Sequence, residues 1–148
     1  MLQEIISNET IKVHANVENW KEAIRECGNL LLQKGFIKEK YIDEMINSIE
    51  KYGPYVVIDK GIAIIHARPE DGSNDLGLAM LTLNEPIYFG NKENDPVRLV
   101  ISFSSLDSVS HLNTLTELIV LITNKNRVEK IISADSSKEV MKLLAERE

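Results

Sequence analysis

His66 closes a run of four apolar residues, Ile62-Ala-Ile-Ile65, and Arg68 follows two positions later, ahead of the turn-forming stretch Pro69-Glu70-Asp71-Gly72. That pattern predicts a buried strand that delivers an imidazole to the point where the chain leaves a sheet, with a guanidinium beside it. Rigid strand-to-loop junctions are common places for catalytic and binding groups. A second imidazole, His111 in Asp107-Ser-Val-Ser-His-Leu-Asn113, falls at the predicted start of a helix. Free backbone N–H groups and a partial positive charge suit an anion there. If the fold brings the two rings together, they make a site for a phosphoryl group. One ring attacks, while the other and the helix amides hold the oxygens. An imidazole of ordinary pKa near 6.5 is about three-quarters unprotonated at pH 7, so its lone pair is free. Arg68 has the fork geometry to grip phosphate oxygens, which a lysine lacks. Its other reading is an ion pair with a neighbouring carboxylate. Phosphoryl transfer needs mainly positioning and charge stabilisation, so a few donors suffice.

Other chemistries find less support. No two histidines share metal-ligand spacing, and the single cysteine cannot complete a Cys pair. There is no Gly-rich phosphate loop and no Gly-x-Ser-x-Gly elbow, which disfavours nucleotide-dependent enzymes and serine hydrolases. His14 lies among polar residues and reads as an exposed surface group, and Asp59, Glu70 and Asp71 read as solvated loop charges. Lys plus Arg number 17 against 23 Asp plus Glu, a net charge of -6. That balance, without a basic stripe, argues against nucleic acid as a partner.

The elements that must position His66 and His111 follow from periodicity. Asn19 and Glu22 have the form of a capping box before a helix with Trp20, Ala23, Ile24, Cys27, Leu30 and Leu31 inward, and Gly35 is a plausible stop. Cys27 is thereby a buried small hydrophobe rather than a reactive thiol. A second helix is expected from Lys38 to about Lys51, with Tyr41, Met45, Ile46 and Ile49 inward, ended by Gly53-Pro54. The period then changes. Tyr55–Ile58, Ile62–Ile65, Leu76–Leu83 and Val97–Phe103 read as strands of a sheet covered on both faces. Asn84–Pro96 reads as a loop that includes a short edge strand at Ile87-Tyr-Phe89. Ser108–Thr123 returns to helical spacing, Arg127–Ile132 suggests one more helical turn, and Ser136 with Glu139 caps a last helix. Residues 1–15 are weakly patterned.

The chain has 148 residues, 43% of them hydrophobic and 27% charged. That is the balance of one globular domain able to bury roughly two-thirds of its unfolded surface. The order of helices, strands and helices favours a layered α/β sandwich. With one cysteine, no apolar leader and no apolar run near the ~20 residues that span a bilayer, the expectation is a soluble cytoplasmic protein.

Gly61-Ile-Ala-Ile-Ile-His-Ala67 resembles the active-site signature of the fructose/mannitol-type enzyme IIA of the bacterial phosphoenolpyruvate-dependent sugar phosphotransferase system. The likeness extends over nearly the whole chain, 1–148, through Tyr52-Gly-Pro-Tyr55, Asn94-Asp-Pro-Val-Arg-Leu-Val100, the Ser-His-Leu around His111 and the closing helix. Within the family, His66-Ala-Arg-Pro-Glu-Asp-Gly72 with Glu50-Lys-Tyr-Gly-Pro-Tyr55 is most similar to the ascorbate-type branch, and more loosely to the galactitol-type branch. The resemblance implies a three-layer sandwich with a mixed sheet between helices. It implies that His66 accepts a phosphoryl group from the phosphocarrier HPr and passes it to a cysteine of a IIB component, which is linked in turn to a membrane permease, IIC. His111 corresponds to the second active-site histidine. No cofactor, metal or nucleotide is implied.

Two departures stand out. Ile65 occupies the position where the family usually has Pro, a change that loosens the fixed φ before the nucleophile and makes a degenerate member thinkable. Mannitol-type members also carry an Arg near the end of the second helix, where this chain has Glu50-Lys51; Arg68 would then supply that charge. Partners would dock around His66, on an expected apolar rim of Ile65, Ala67 and Leu106. The rival reading is a regulatory module of the same fold, whose phosphorylation state signals to a transcription factor or transporter.

Overall fold

The computed structural model describes residues 2–146. Five strands form one mixed sheet: β1 (Ile11–Ala15), β2 (Val57–Asp59), β3 (Ile62–Ile65), β4 (Gly77–Ile87) and β5 (Val97–Ser104), in the order β1-β4-β5-β3-β2. β1 runs parallel to β4 and β3 parallel to β5, while the β4–β5 and β2–β3 pairs are antiparallel. Helices α1 (Trp20–Gln33) and α2 (Glu39–Tyr52) cover one face, and α3 (Ser108–Thr123), α4 (Lys125–Ser133) and α5 (Ser137–Ala145) the other. This is the expected three-layer α/β sandwich.

The layers follow from side-chain alternation. Along β3, Ala63 and Ile65 point into the core under α1 and α2, whereas Ile62 and Ile64 point into the core under α3, α4 and α5. All four are buried, and this explains why the segment reads as continuously apolar. The tight β2–β3 turn requires Gly61 at φ +76°, in the left-handed region where a Cβ is disfavoured. The α2 helix stops at Gly53, as expected, with the Gly53 N–H donating to Ile49 O at 2.8 Å. Cys27 is fully buried, its Sγ 3.3 Å from Ser102 Oγ, and burial pushes the thiol up to about 12. It is an inert core residue.

The structure differs from the sequence expectation at several boundaries. The weakly patterned N-terminus holds β1, an edge strand seated in parallel on β4. β4 runs on to Ile87, opposite Val97, past a register shift after Thr82. The expected loop is therefore shorter, and Ile87 belongs to β4 rather than to a separate edge strand. The single helical turn near Arg127 is the nine-residue α4. His14, exposed as expected, adopts φ +52° at the irregularity in β1 and faces Asp135 Oδ1 across 3.1 Å. Among the described residues no helix is long and apolar enough to cross a membrane.

Candidate functional site

Parallel pairing of β3 with β5 builds the site. Parallel neighbours end at the same edge of a sheet, and ligand sites in α/β folds favour that carboxyl edge. Ile65 is in register with Ser102, so His66, the next residue, emerges level with the end of β5. The chain leaving β5 turns at Ser105 and Leu106 into α3, which carries His111 back over the same edge. The two rings sit 4.7 Å apart at an interplanar angle of 77°. Phe103 lies beneath both, its ring 5.0 Å from His66 and 5.1 Å from His111.

His66 is mostly buried, and its Nδ1 is out of solvent with no hydrogen-bond partner. Burial first, and the nearby His111 second, lower its pKa to about 4. The ring is therefore neutral at physiological pH, and Nε2 is the nitrogen left for a reaction partner. Ser105 Oγ lies 3.4 Å from His111 Nδ1, steadying the second ring and leaving its Nε2 for a ligand.

The start of α3 does not offer all the free amides that the sequence suggested. Asp107 Oδ1 accepts the Ser110 N–H at 2.8 Å, and the His111 N–H donates to Asp107 O at 3.0 Å. Ser110 Oγ in turn accepts from the N–H groups of Leu106 and Asp107, each at 3.2 Å. The helix caps itself, and its hydrogen bonds hold Asp107 below the usual carboxylate range. Anion stabilisation must come mainly from side chains.

Tyr41 is a positioning residue that the sequence showed only as an inward-facing helix position. Its hydroxyl accepts the Ala67 N–H at 3.1 Å and donates to Phe103 O at 2.8 Å, with Ala67 O at 3.1 Å. One buried phenol thus ties α2 to the backbone just after His66 and to the end of β5. Burial pushes it up to about 12, so it stays a donor.

Arg68 borders the groove at His66 and His111 but is turned toward its own loop. Its Nε lies 3.2 Å from Asp71 Oδ2 and 3.5 Å from Glu70 Oε1, and hydrogen bonding to Asp71 raises its pKa. The ion-pair reading is the one seen. Lys51, at the end of α2, lines the same groove with its ammonium 5.2 Å over the Tyr52 ring. The sequence had passed over Lys51 as a site cation.

The expected rim needs correction. Ile65 and Ala67 are buried, Ile65 under α1 and α2 and Ala67 against Tyr41, so neither can meet a partner. Leu106 is exposed as expected. Tyr52 and Tyr55 line the groove as exposed aromatics, and Leu106, Val109 and Leu112 are exposed aliphatic residues flanking His111 in sequence. Ile65 also answers the question of the missing proline: its backbone is held by the β3–β5 ladder itself. Among the described residues, no three His, Cys, Asp or Glu side chains gather as a metal ion would require.

Residues 4–147 match the family Phosphoenolpyruvate-dependent sugar phosphotransferase system, EIIA 2. The chain is 28% identical over 141 residues to the ascorbate-specific PTS system EIIA component of Escherichia coli K12, covering 95% of this chain and 92% of that protein. The solution structure of the mannitol-specific cryptic phosphotransferase enzyme IIA CmtB from E. coli superposes with a TM-score of 0.88 at 31% identity, over 97% of each chain. The E. coli IIAMTL chain, solved in complex with phosphorylated IIBMTL, gives a TM-score of 0.82 at 27% identity, over 95% of this chain and 97% of that one. That family match over residues 4–147, on a fold shared with solved enzyme IIA structures, makes this chain a member of the EIIA type 2 family of the phosphoenolpyruvate-dependent sugar phosphotransferase system.

Proposed function

We propose that His66 carries a transient phosphoryl group on Nε2. The neutral ring attacks the phosphorus of phosphorylated HPr: the P–N bond to the donor breaks as the P–Nε2 bond forms, and the proton on Nδ1 stays in place. A cysteine thiolate of a IIB component then takes the phosphoryl group, forming a P–S bond and returning His66 to its neutral form. His111, steadied by Ser105, donates to the phosphoryl oxygens, and Arg68 and Lys51, which line the groove, supply positive charge. The burial of Nδ1 without an acceptor supports this role, because a phosphorylated ring that gains no hydrogen bond there stays a good leaving group.

The observation that carries the reading is the pair of rings 4.7 Å apart at the sheet edge, one held neutral by burial. Transfer to IIB is supported by the complex known for the mannitol relative. The ascorbate-specific relative, with the His66-Ala-Arg-Pro-Glu-Asp-Gly72 likeness, supports an ascorbate-type substrate for the permease that this carrier serves. The decisive experiment incubates the chain with phosphoenolpyruvate, enzyme I and HPr, then weighs it. One acid-labile phosphate is expected on the wild type and none on His66→Ala; a wild type that gains none ends the carrier reading.

A further inference from the structure

Three serines lie at the end of β5 and in the turn after it, and each hydroxyl has its own partner. Ser102 Oγ meets Cys27 Sγ in the core, and Ser104 Oγ donates to Asp75 O at 2.7 Å. Ser105 is fully buried, and among the described residues its Oγ has one hydrogen-bond partner, Nδ1 of His111 at 3.4 Å. That is long for a hydrogen bond, as contacts to reacting groups often are before a partner is bound. What matters chemically is which of the two atoms holds the proton.

A buried hydroxyl whose proton finds no acceptor is destabilising. With His111 Nδ1 as the one partner, the Ser105 O–H avoids that cost by donating to it. Nδ1 then keeps its lone pair, and the single proton of the neutral ring sits on Nε2. A carboxylate in the same place could only accept, and would draw the proton to Nδ1 instead. The hydroxyl also distinguishes Nδ1 from the C–H on the opposite side of the ring, so it fixes which edge of His111 turns toward the groove. Phe103 packs on both imidazoles, but an apolar contact cannot choose between a nitrogen and a carbon.

The two rings thereby differ in the way the reaction needs. Attack through Nε2 of His66 requires that ring's proton on Nδ1, and the neighbouring ring must then answer with a donor. Two imidazoles that both presented lone pairs would repel the phosphoryl oxygens, and an overturned His111 would present carbon. We propose that Ser105 is a positioning residue for phosphoryl transfer: its hydroxyl donates to His111 Nδ1 and so holds an N–H at Nε2 toward the phosphoryl oxygens. This role rests on the carrier reading of His66. Sealed beneath the surface, Ser105 meets no docking protein and acts only through His111.

The ring-nitrogen chemical shifts of His111 read this directly, in the unphosphorylated chain at about pH 8, above the ordinary imidazole range. A bare Nδ1 beside a protonated Nε2 is expected, in one sharp set of signals. Ser105→Ala should mix tautomers and ring orientations, shifting or broadening those signals. It should also lower kcat for acceptance from phosphorylated HPr about tenfold, roughly what one hydrogen bond contributes. KM should not move, because the buried hydroxyl touches no partner. Ser105→Cys, close in size with a weaker donor, should fall between the two. A wild-type His111 with its proton on Nδ1 overturns the proposal. So does a Ser105→Ala chain with wild-type kcat, or one that loses rate while its His111 signals stay unchanged. The tautomer is read with no donor protein present, so it stands or fails separately from the phosphate count that tests His66 as a carrier.

Discussion

His66 and His111 meet ring edge to ring face, 4.7 Å apart at 77°, although 44 residues separate them in sequence. Two neighbouring parallel strands place them there: one ring ends β3, and the other rides the helix that follows β5. Two imidazoles so close, with Phe103 packed on both, cannot both hold a proton cheaply. Burial decides the matter in favour of a neutral His66.

A pH dependence of stability follows. The folded His66 has a pKa of about 4 against 6.5 for the free side chain. Between those values the unfolded chain binds the proton and the folded chain does not. Stability from this group is therefore complete above about pH 6.5 and is lost as pH falls toward 4. The size is on the order of 3 kcal/mol. Denaturant melts from pH 7 to pH 4 should show that loss in the wild type and a flatter profile in His66→Gln. Equal slopes would mean that the ring titrates normally.

Tyr41→Phe should loosen the site without touching either histidine. The substitution keeps the ring and removes the hydroxyl that accepts from Ala67 N–H and donates to Phe103 O. A buried N–H and a buried carbonyl lose their partner, a cost of about 1–3 kcal/mol, or about 2–4 °C in melting temperature per kcal/mol for a domain of this size. Phosphoryl acceptance should slow as well, and the variant's His66 resonances should broaden or split in NMR spectra. A sharp, wild-type His66 signal in Tyr41→Phe would reduce the tyrosine to a core residue.

Tyr41 also shows where sequence reading runs out. Helical spacing placed it inward on α2, and the apolar run before His66 marked the strand end correctly, because both are local patterns. What the phenol bonds depends on how α2 lies over the sheet, and that is a long-range fact. The same reason hid β1, whose parallel partner β4 begins more than sixty residues later. It misled the rim, since an apolar Ile65 or Ala67 looks equally suited to a core or a docking surface until α1 and α2 are seen covering them. Arg68 was legible as a cation near the site. The partner it chooses, Asp71 or a phosphoryl group, was not.

The competition at Arg68 can be measured. Its guanidinium must give up Asp71 and Glu70 before it can serve an oxyanion in the groove. Arg68→Ala should slow phosphoryl acceptance from HPr by about tenfold, the loss of one charge-assisted contact. Asp71→Asn, which frees the guanidinium, should hold or raise the rate. Lys51→Ala tests the other cation of the groove under the same conditions. An Arg68→Ala protein with wild-type rates would leave Lys51 as the charge that matters.

Leu106 gives the cleanest test of a docking face beside His111, because it is exposed and directly precedes the Asp107 cap of α3. A partner that docks over the start of α3 covers it, and an interface core tolerates a charge poorly. Leu106→Asp should therefore raise the KM for phosphorylated HPr several-fold. It should leave kcat and melting temperature near wild type, since the side chain supports neither the core nor the reacting rings. The split between KM and kcat is the informative reading: a fall in kcat alone would place Leu106 with the chemistry, and no change in either would move the docking face to the tyrosine bank at Tyr52 and Tyr55.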